Sequence, residues 1–141
     1  MSLRLTAAAR DAIVAHASGE YPKEACGVVA GAQGTGTAVV RMRNVDASPI
    51  SYTMDPQEQL QVMKRLRTER LEMLAIYHSH TATPAYPSPT DVRLATYPDV
   101  TYLLVSLQDA AHPDVKGYRI VDGVIAPEEL RIVEASGTPH V

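Results

Sequence analysis

Two hydrophobic patterns take turns along the chain, one with helical spacing and one with strand spacing. Residues 3–5 read as a short strand running into a helix over about 6–18. Thr6 is placed to cap its first turn, and Leu5, Ala9, Ala12, Ile13 and His16 recur on one face. Gly19 to Lys23 breaks that helix. The small, β-branched run 25–31 predicts a buried strand, 33–36 a turn and 37–44 a second strand. Ser48-Pro49 makes 46–54 irregular or an edge strand, because a proline nitrogen cannot donate to a ladder. Asp55-Pro56-Gln57-Glu58 then carries the N-cap, first-turn proline and capping-box acid of a helix start. Leu60, Met63, Leu66 and Arg67 extend its predicted inner stripe to about residue 69. Residues 73–80 read as a strand that empties into the polar loop 81–87, and Ser88-Pro89-Thr90-Asp91 opens another helix. Strands over 101–107, 116–122 and 130–133, with a turn at Gly123, complete the set. Interleaving of this kind predicts one α/β or α+β domain over residues 1–135, a sheet with helices against it, and a fraying tail over 136–141.

Composition narrows the class. At 141 residues and 45% hydrophobic content the chain is sized for a single core and is not globally disordered. A net charge of -3 argues against nucleic acid or an anionic membrane surface as partner. No uncharged apolar run approaches the roughly 18 residues of a membrane span. Arg4, Arg10 and Asp11 interrupt the only N-terminal alanine-rich stretch, so a cytoplasmic protein is expected. Cys26 is the single cysteine, which excludes an internal disulfide and a thiolate zinc knuckle. It lies in an apolar strand with no adjacent base and reads as a core residue.

The chemistry is concentrated at His78-Ser79-His80, the loop 81–87, and Ser88-Pro89-Thr90-Asp91. Positions two apart on a strand share a face, so both imidazoles project together. An Asp in the first turn of the next helix can close back on them. Two nitrogens and one oxygen suit a divalent metal and leave a tetrahedral position open, as in catalytic zinc sites. Taken singly, each feature has a plainer explanation: histidines fall two apart by chance, and Ser88 and Asp91 form a helix cap. Their conjunction after a hydrophobic strand favours the metal. Such a site also needs a base. Glu24, just before the strand 25–31, is the candidate, although spacing alone cannot bring it to His78.

Glu24 ahead of a Cys-Gly strand, His78-Ser79-His80 and Ser88-Pro89-Thr90-Asp91 at this separation together resemble the JAMM motif of the JAB/MPN/Mov34 metallopeptidases. The likeness runs along most of the chain. Asn44, Ser48-Pro49, Tyr52, Asp55, Ile76 to Thr83, Ala85 to Ser88 and Tyr118 to Gly123 are most similar to the bacterial Mec-type members. The resemblance implies a curved mixed β-sheet flanked by helices and one Zn2+ per chain. It implies His78, His80 and Asp91 as metal ligands, Glu24 as general acid/base and Ser88 as hydroxyl donor to the oxyanion. With all five positions matched, a non-catalytic MPN assembly module is disfavoured. The activity implied is hydrolysis after the C-terminal Gly-Gly of a ubiquitin-like sulfur-carrier protein, releasing cysteine for cysteine biosynthesis. The alternative is trimming of a precursor tail to expose Gly-Gly.

An extended Gly-Gly tail is expected to bind as an added strand, with the segments 48–54 and 81–87 as walls and Ser48, Tyr52, Thr81 and Tyr86 as contacts. Arg41, Arg43 and the cluster Lys64, Arg65, Arg67 and Arg70 read as solvated faces; one of them is also placed to receive a released carboxylate. A homodimer stays open.

Overall fold

The structure, a computed structural model, describes residues 2–134, so the expected fraying tail lies outside the described residues. The elements in chain order are β1 (Ser2–Thr6), α1 (Ala7–Glu20), β2 (Cys26–Ala32), β3 (Thr35–Met42), α2 (Pro56–Thr68), β4 (Glu72–His80), α3 (Pro89–Leu94), β5 (Thr101–Ser106), β6 (Asp114–Val121) and β7 (Val124–Val133). Thr6 caps α1 by accepting from the Ala9 amide, as its position predicts. Two tight hairpins punctuate the chain. Gln33-Gly34 joins β2 to β3 and Asp122-Gly123 joins β6 to β7, each pair with positive φ, the twist that two-residue hairpins require.

The strands are ordered β1-β3-β2-β4-β5-β6-β7, and β7 returns to pair parallel with β1, so the mixed sheet closes on itself. The β4–β5 and β1–β3 pairs are also parallel. The β1–β3 contact is short, Arg4 opposite Thr35 and Leu5 opposite Gly36, so the rest of β3 has no partner strand on that side among the described residues. In the segment after β3, Asn44 and Met54 form an isolated antiparallel bridge.

Strand alternation sorts the core into two faces. Cys26, Val28, Ile76 and Leu104 pack with Val62 and Leu66 of α2, while Val29, Ala75, Tyr77 and Leu103 pack with Ala9 and Ile13 of α1. Because both faces of β4 are covered, its second half is an unbroken buried run, as its sequence suggests. The α2 stripe differs from expectation. Leu60 and Met63 are exposed, and Glu58, Val62 and Leu66, four apart, turn to the sheet. Glu58 accepts from the Arg43 amide at 3.1 Å instead of closing a capping box. Among the described residues no helix is long and apolar enough to cross a membrane.

Candidate active site

The β2–β4 register assembles the site. Cys26 stands opposite His78, and the next pair is bonded twice: Ser79 N–H donates to the Ala25 carbonyl at 3.0 Å, and Ala25 N–H donates to Ser79 Oγ at 2.8 Å. Carrying the register one residue further sets Glu24 opposite His80. Alternation then puts Glu24, Cys26, His78 and His80 on one face, the face that also packs α2. The Glu24 peptide is held from two sides: its N–H donates to the Ser48 carbonyl at 2.8 Å, and its carbonyl accepts from Asn44 Nδ2 at 3.0 Å. Its side chain, only 6% exposed, is therefore anchored at the mouth of the sheet.

Asp91 arrives from the start of α3, fixed by a reciprocal cap. The Ser88 amide donates to Asp91 Oδ2 at 2.9 Å, and the Asp91 amide donates to Ser88 Oγ at 3.1 Å. Oδ2 lies 3.1 Å from His78 Nε2 and 2.9 Å from His80 Nε2, and the two nitrogens are 3.3 Å apart. Zinc bonds of about 2.0–2.1 Å give a tetrahedron with edges of about 3.3 Å, so this triangle is close to one tetrahedral face. Among the described residues these three form a group able to hold a metal ion. The donor set, two imidazoles and a carboxylate on one small triangle, fits zinc.

The protonation states follow from burial and contacts. Burial holds His78 below the usual imidazole range. Burial also acts to lower His80, but the hydrogen bond to Asp91 and the Pro84 carbonyl outweigh it, and its ring titrates above the ordinary value. His80 Nδ1 donates to that carbonyl at 2.8 Å, which leaves Nε2 free as a ligand atom. Burial pushes Asp91 up, yet the hydrogen bonds from both rings and the Ser88 amide together hold its carboxyl well below the usual carboxylate range. Glu24 is raised to about 7, chiefly by burial, with the His80 charge opposing and the Asp91 charge adding. Burial also drives the Cys26 thiol up to about 12, so it is no nucleophile at neutral pH.

The remaining expected site residues fall around this centre in different ways. Ser88 Oγ is engaged as the acceptor of the cap, and its own hydrogen has no acceptor among the described residues. Thr81 Oγ1 donates to the Pro49 carbonyl at 3.0 Å, which joins the two loops expected to wall the site. Ser48 contributes its carbonyl to Glu24 and its hydroxyl to the Ile50 amide. Tyr86 is exposed and sits edge-on to Tyr118. Tyr52 stacks directly on His78, with ring centroids 4.4 Å apart and planes at 25°. Asn44 entered the sequence analysis only through the family resemblance, with no role at the site. Its amide spans Glu24 and Ser51, and an asparagine ending a strand before a proline-bearing loop was the available signal. Pro84 acts through its main-chain oxygen, which leaves no mark in the residue type.

Comparison with known proteins identifies the family. The family model "Prokaryotic homologs of the JAB domain" matches residues 6–121. A CysO-cysteine peptidase from Mycobacterium tuberculosis is 46% identical over 126 residues, which covers 88% of this chain and 86% of that protein. A desampylase from Haloferax volcanii is 37% identical over 111 residues, covering 74% and 80% respectively. The solution structure of protein DSY2949 from Desulfitobacterium hafniense superposes with a TM-score of 0.87 at 35% identity, covering 99% of both chains. With its His-His-Asp cluster inside a closed mixed sheet, the chain belongs to the prokaryotic JAB/MPN family and is a JAMM-type hydrolase.

Proposed function

We propose that this chain is a zinc peptidase that hydrolyses the bond after the C-terminal Gly-Gly of a ubiquitin-like sulfur-carrier protein and releases cysteine. The observation that carries the hydrolytic reading is the pairing of a tetrahedral-face donor triangle with a buried carboxyl of pKa about 7 on the same sheet face. The substrate reading is supported by the 46% identity to a CysO-cysteine peptidase and by the desampylase likeness.

His78, His80 and Asp91 hold one zinc ion in this reading. When bound, zinc polarises a carbonyl oxygen and lowers the pKa of water to about 7. Glu24 accepts the proton of the attacking water and passes it to the departing amine. A carboxyl balanced near neutrality is suited to both transfers. The Ser88 hydroxyl donates its free hydrogen to the scissile carbonyl oxygen as negative charge builds there. The backbone groups of 45–53 and 81–87, tied by the Thr81–Pro49 bond, take the extended Gly-Gly tail, with Ser48, Tyr52 and Tyr86 along it.

Glu24 also lines a groove of about 400 Å³ with Glu20, Lys23, Arg43 and Val45. The amine that Glu24 protonates belongs to the released residue, so that residue lies toward this groove. Its free carboxylate then meets Lys23 and Arg43. The test is mass spectrometry of a carrier ending Gly-Gly-Cys incubated with the protein, with and without chelator. Loss of one cysteine, abolished by chelator, is expected; cleavage only of a longer precursor tail refutes cysteine release in favour of trimming. Replacing both Lys23 and Arg43 with Ala should raise KM for the free-acid terminus and leave KM for its amide unchanged.

A further inference from the structure

The two histidines of the donor triangle are supported unequally. His80 directs Nδ1 to the Pro84 carbonyl, the usual means by which a ligating imidazole is fixed. His78 is 2% exposed, and its Nδ1 has no hydrogen-bond partner among the described residues. Nothing on that side of the ring sets its orientation through a hydrogen bond. What contacts it instead is the Tyr52 ring, 4.4 Å away and nearly parallel, in the range of a stacked pair. The Tyr52 hydroxyl makes no hydrogen bond among the described residues, so the ring face is the part of this residue in use.

Tyr52 is itself held with unusual completeness for a loop residue. Asn44 Nδ2 donates to the carbonyl of Ser51 at 2.9 Å, and Asn44 Oδ1 accepts from the amide of Thr53 at 3.1 Å. Both peptides flanking Tyr52 are thus gripped by one side chain. The same amide donates to Glu24 and accepts from Asp46 at 3.1 Å, which uses two donated and two accepted bonds, its full capacity. The chain from Val45 to Thr53 is closed further by a 2.8 Å backbone bond between those two residues.

We infer that Tyr52, clamped by Asn44, is the positioning residue for His78, fixing by ring stacking the Nδ1 side of an imidazole that is hydrogen-bonded only through Nε2. The inference rests on the metal reading given under Proposed function. Losing the hydrogen-bond partner of a ligating histidine costs roughly 10- to 100-fold in metal affinity, and the stacked ring stands in that place for His78. Tyr52→Ala should therefore weaken zinc binding by roughly that factor, measured by competition with a chromophoric chelator at pH 7. Tyr52→Phe, which keeps the ring and drops only an unbonded hydroxyl, should stay within about threefold of the parent. Asn44→Asp cannot donate to the Ser51 and Glu24 carbonyls and should weaken zinc in the same direction as Tyr52→Ala. Should Tyr52→Ala fold poorly, Tyr52→Leu retains apolar volume without the flat face and is expected to lose affinity as well. Parent-like zinc affinity in the Ala or Leu variant overturns the inference, as does a Phe variant as weak as Ala. A parent protein that binds zinc no better than His78→Ala overturns the metal reading instead, so the two failures are told apart.

Discussion

Replacing Glu24 by Gln separates what this residue does for chemistry from what it costs the fold. The side chain is 6% exposed, and burial raises its pKa from 4.5 to about 7. In the metal-free protein the folded state therefore holds a proton that the unfolded chain has already lost between those two values. Stability falls as pH rises through that window and levels off above about 7, the opposite of the usual carboxylate trend. At about 1.4 kcal/mol per pH unit, the ionised Glu24 destabilises the metal-free fold by about 3 kcal/mol at pH 8 relative to pH 4. Glutamine has nearly the same shape and no charge, so that penalty disappears. Chemical denaturation of chelator-treated protein from pH 4 to 8 should show the parent losing stability relative to Glu24→Gln. In thermal melts the gap at pH 8 should be on the order of 10 °C. The variant should still bind zinc, yet lose about 10²–10⁴ in turnover, since no group is left to carry the proton. Parallel stability curves for the two proteins would show that Glu24 is solvated in solution, and retained turnover would remove it from the mechanism.

Three further perturbations test other parts of the argument. His78→Ala should lower zinc stoichiometry measured by elemental analysis, and an unchanged metal content would refute its place in the donor triangle. Ser88→Ala removes the acceptor of the Asp91 amide, at about 1 kcal/mol of stability, together with the proposed oxyanion donor, whose loss should cost about 10²–10³ in kcat. A kcat loss under tenfold would leave Ser88 as a cap alone. Gly27→Ala drives a methyl into the buried Tyr77 ring, whose hydroxyl also meets His16 Nδ1 at 2.6 Å, and should cost about 1–3 kcal/mol by overpacking. An unaltered melting temperature would show that Tyr77 has room to move.

Much of the secondary structure was legible because local chemistry decides it. Thr6, Asp55 and Ser88 cap the helices they were expected to cap, and the strand after Met73 ends at the two histidines. The α2 face was misread because periodicity permits more than one stripe. Leu66 is buried as expected, while Val62 takes the place of the exposed Leu60 and Met63, a choice made by packing against the distant sheet. The pairing of β7 with β1 was not legible for a similar reason: no local pattern announces a partner so distant along the chain.

The sequence by itself determined the donor types, the shared face of His78 and His80, and the capped turn that carries Asp91. These depend on spacings of two and three residues within one strand or one helix start. Tertiary structure alone decided that Glu24 joins them, that Tyr52 backs one imidazole and the Pro84 carbonyl the other, and that Asn44 links Glu24 to the loop. Each of these depends on the β2–β4 register or on loop closure, in which residues far apart in the chain meet because buried backbone and side-chain groups must find partners.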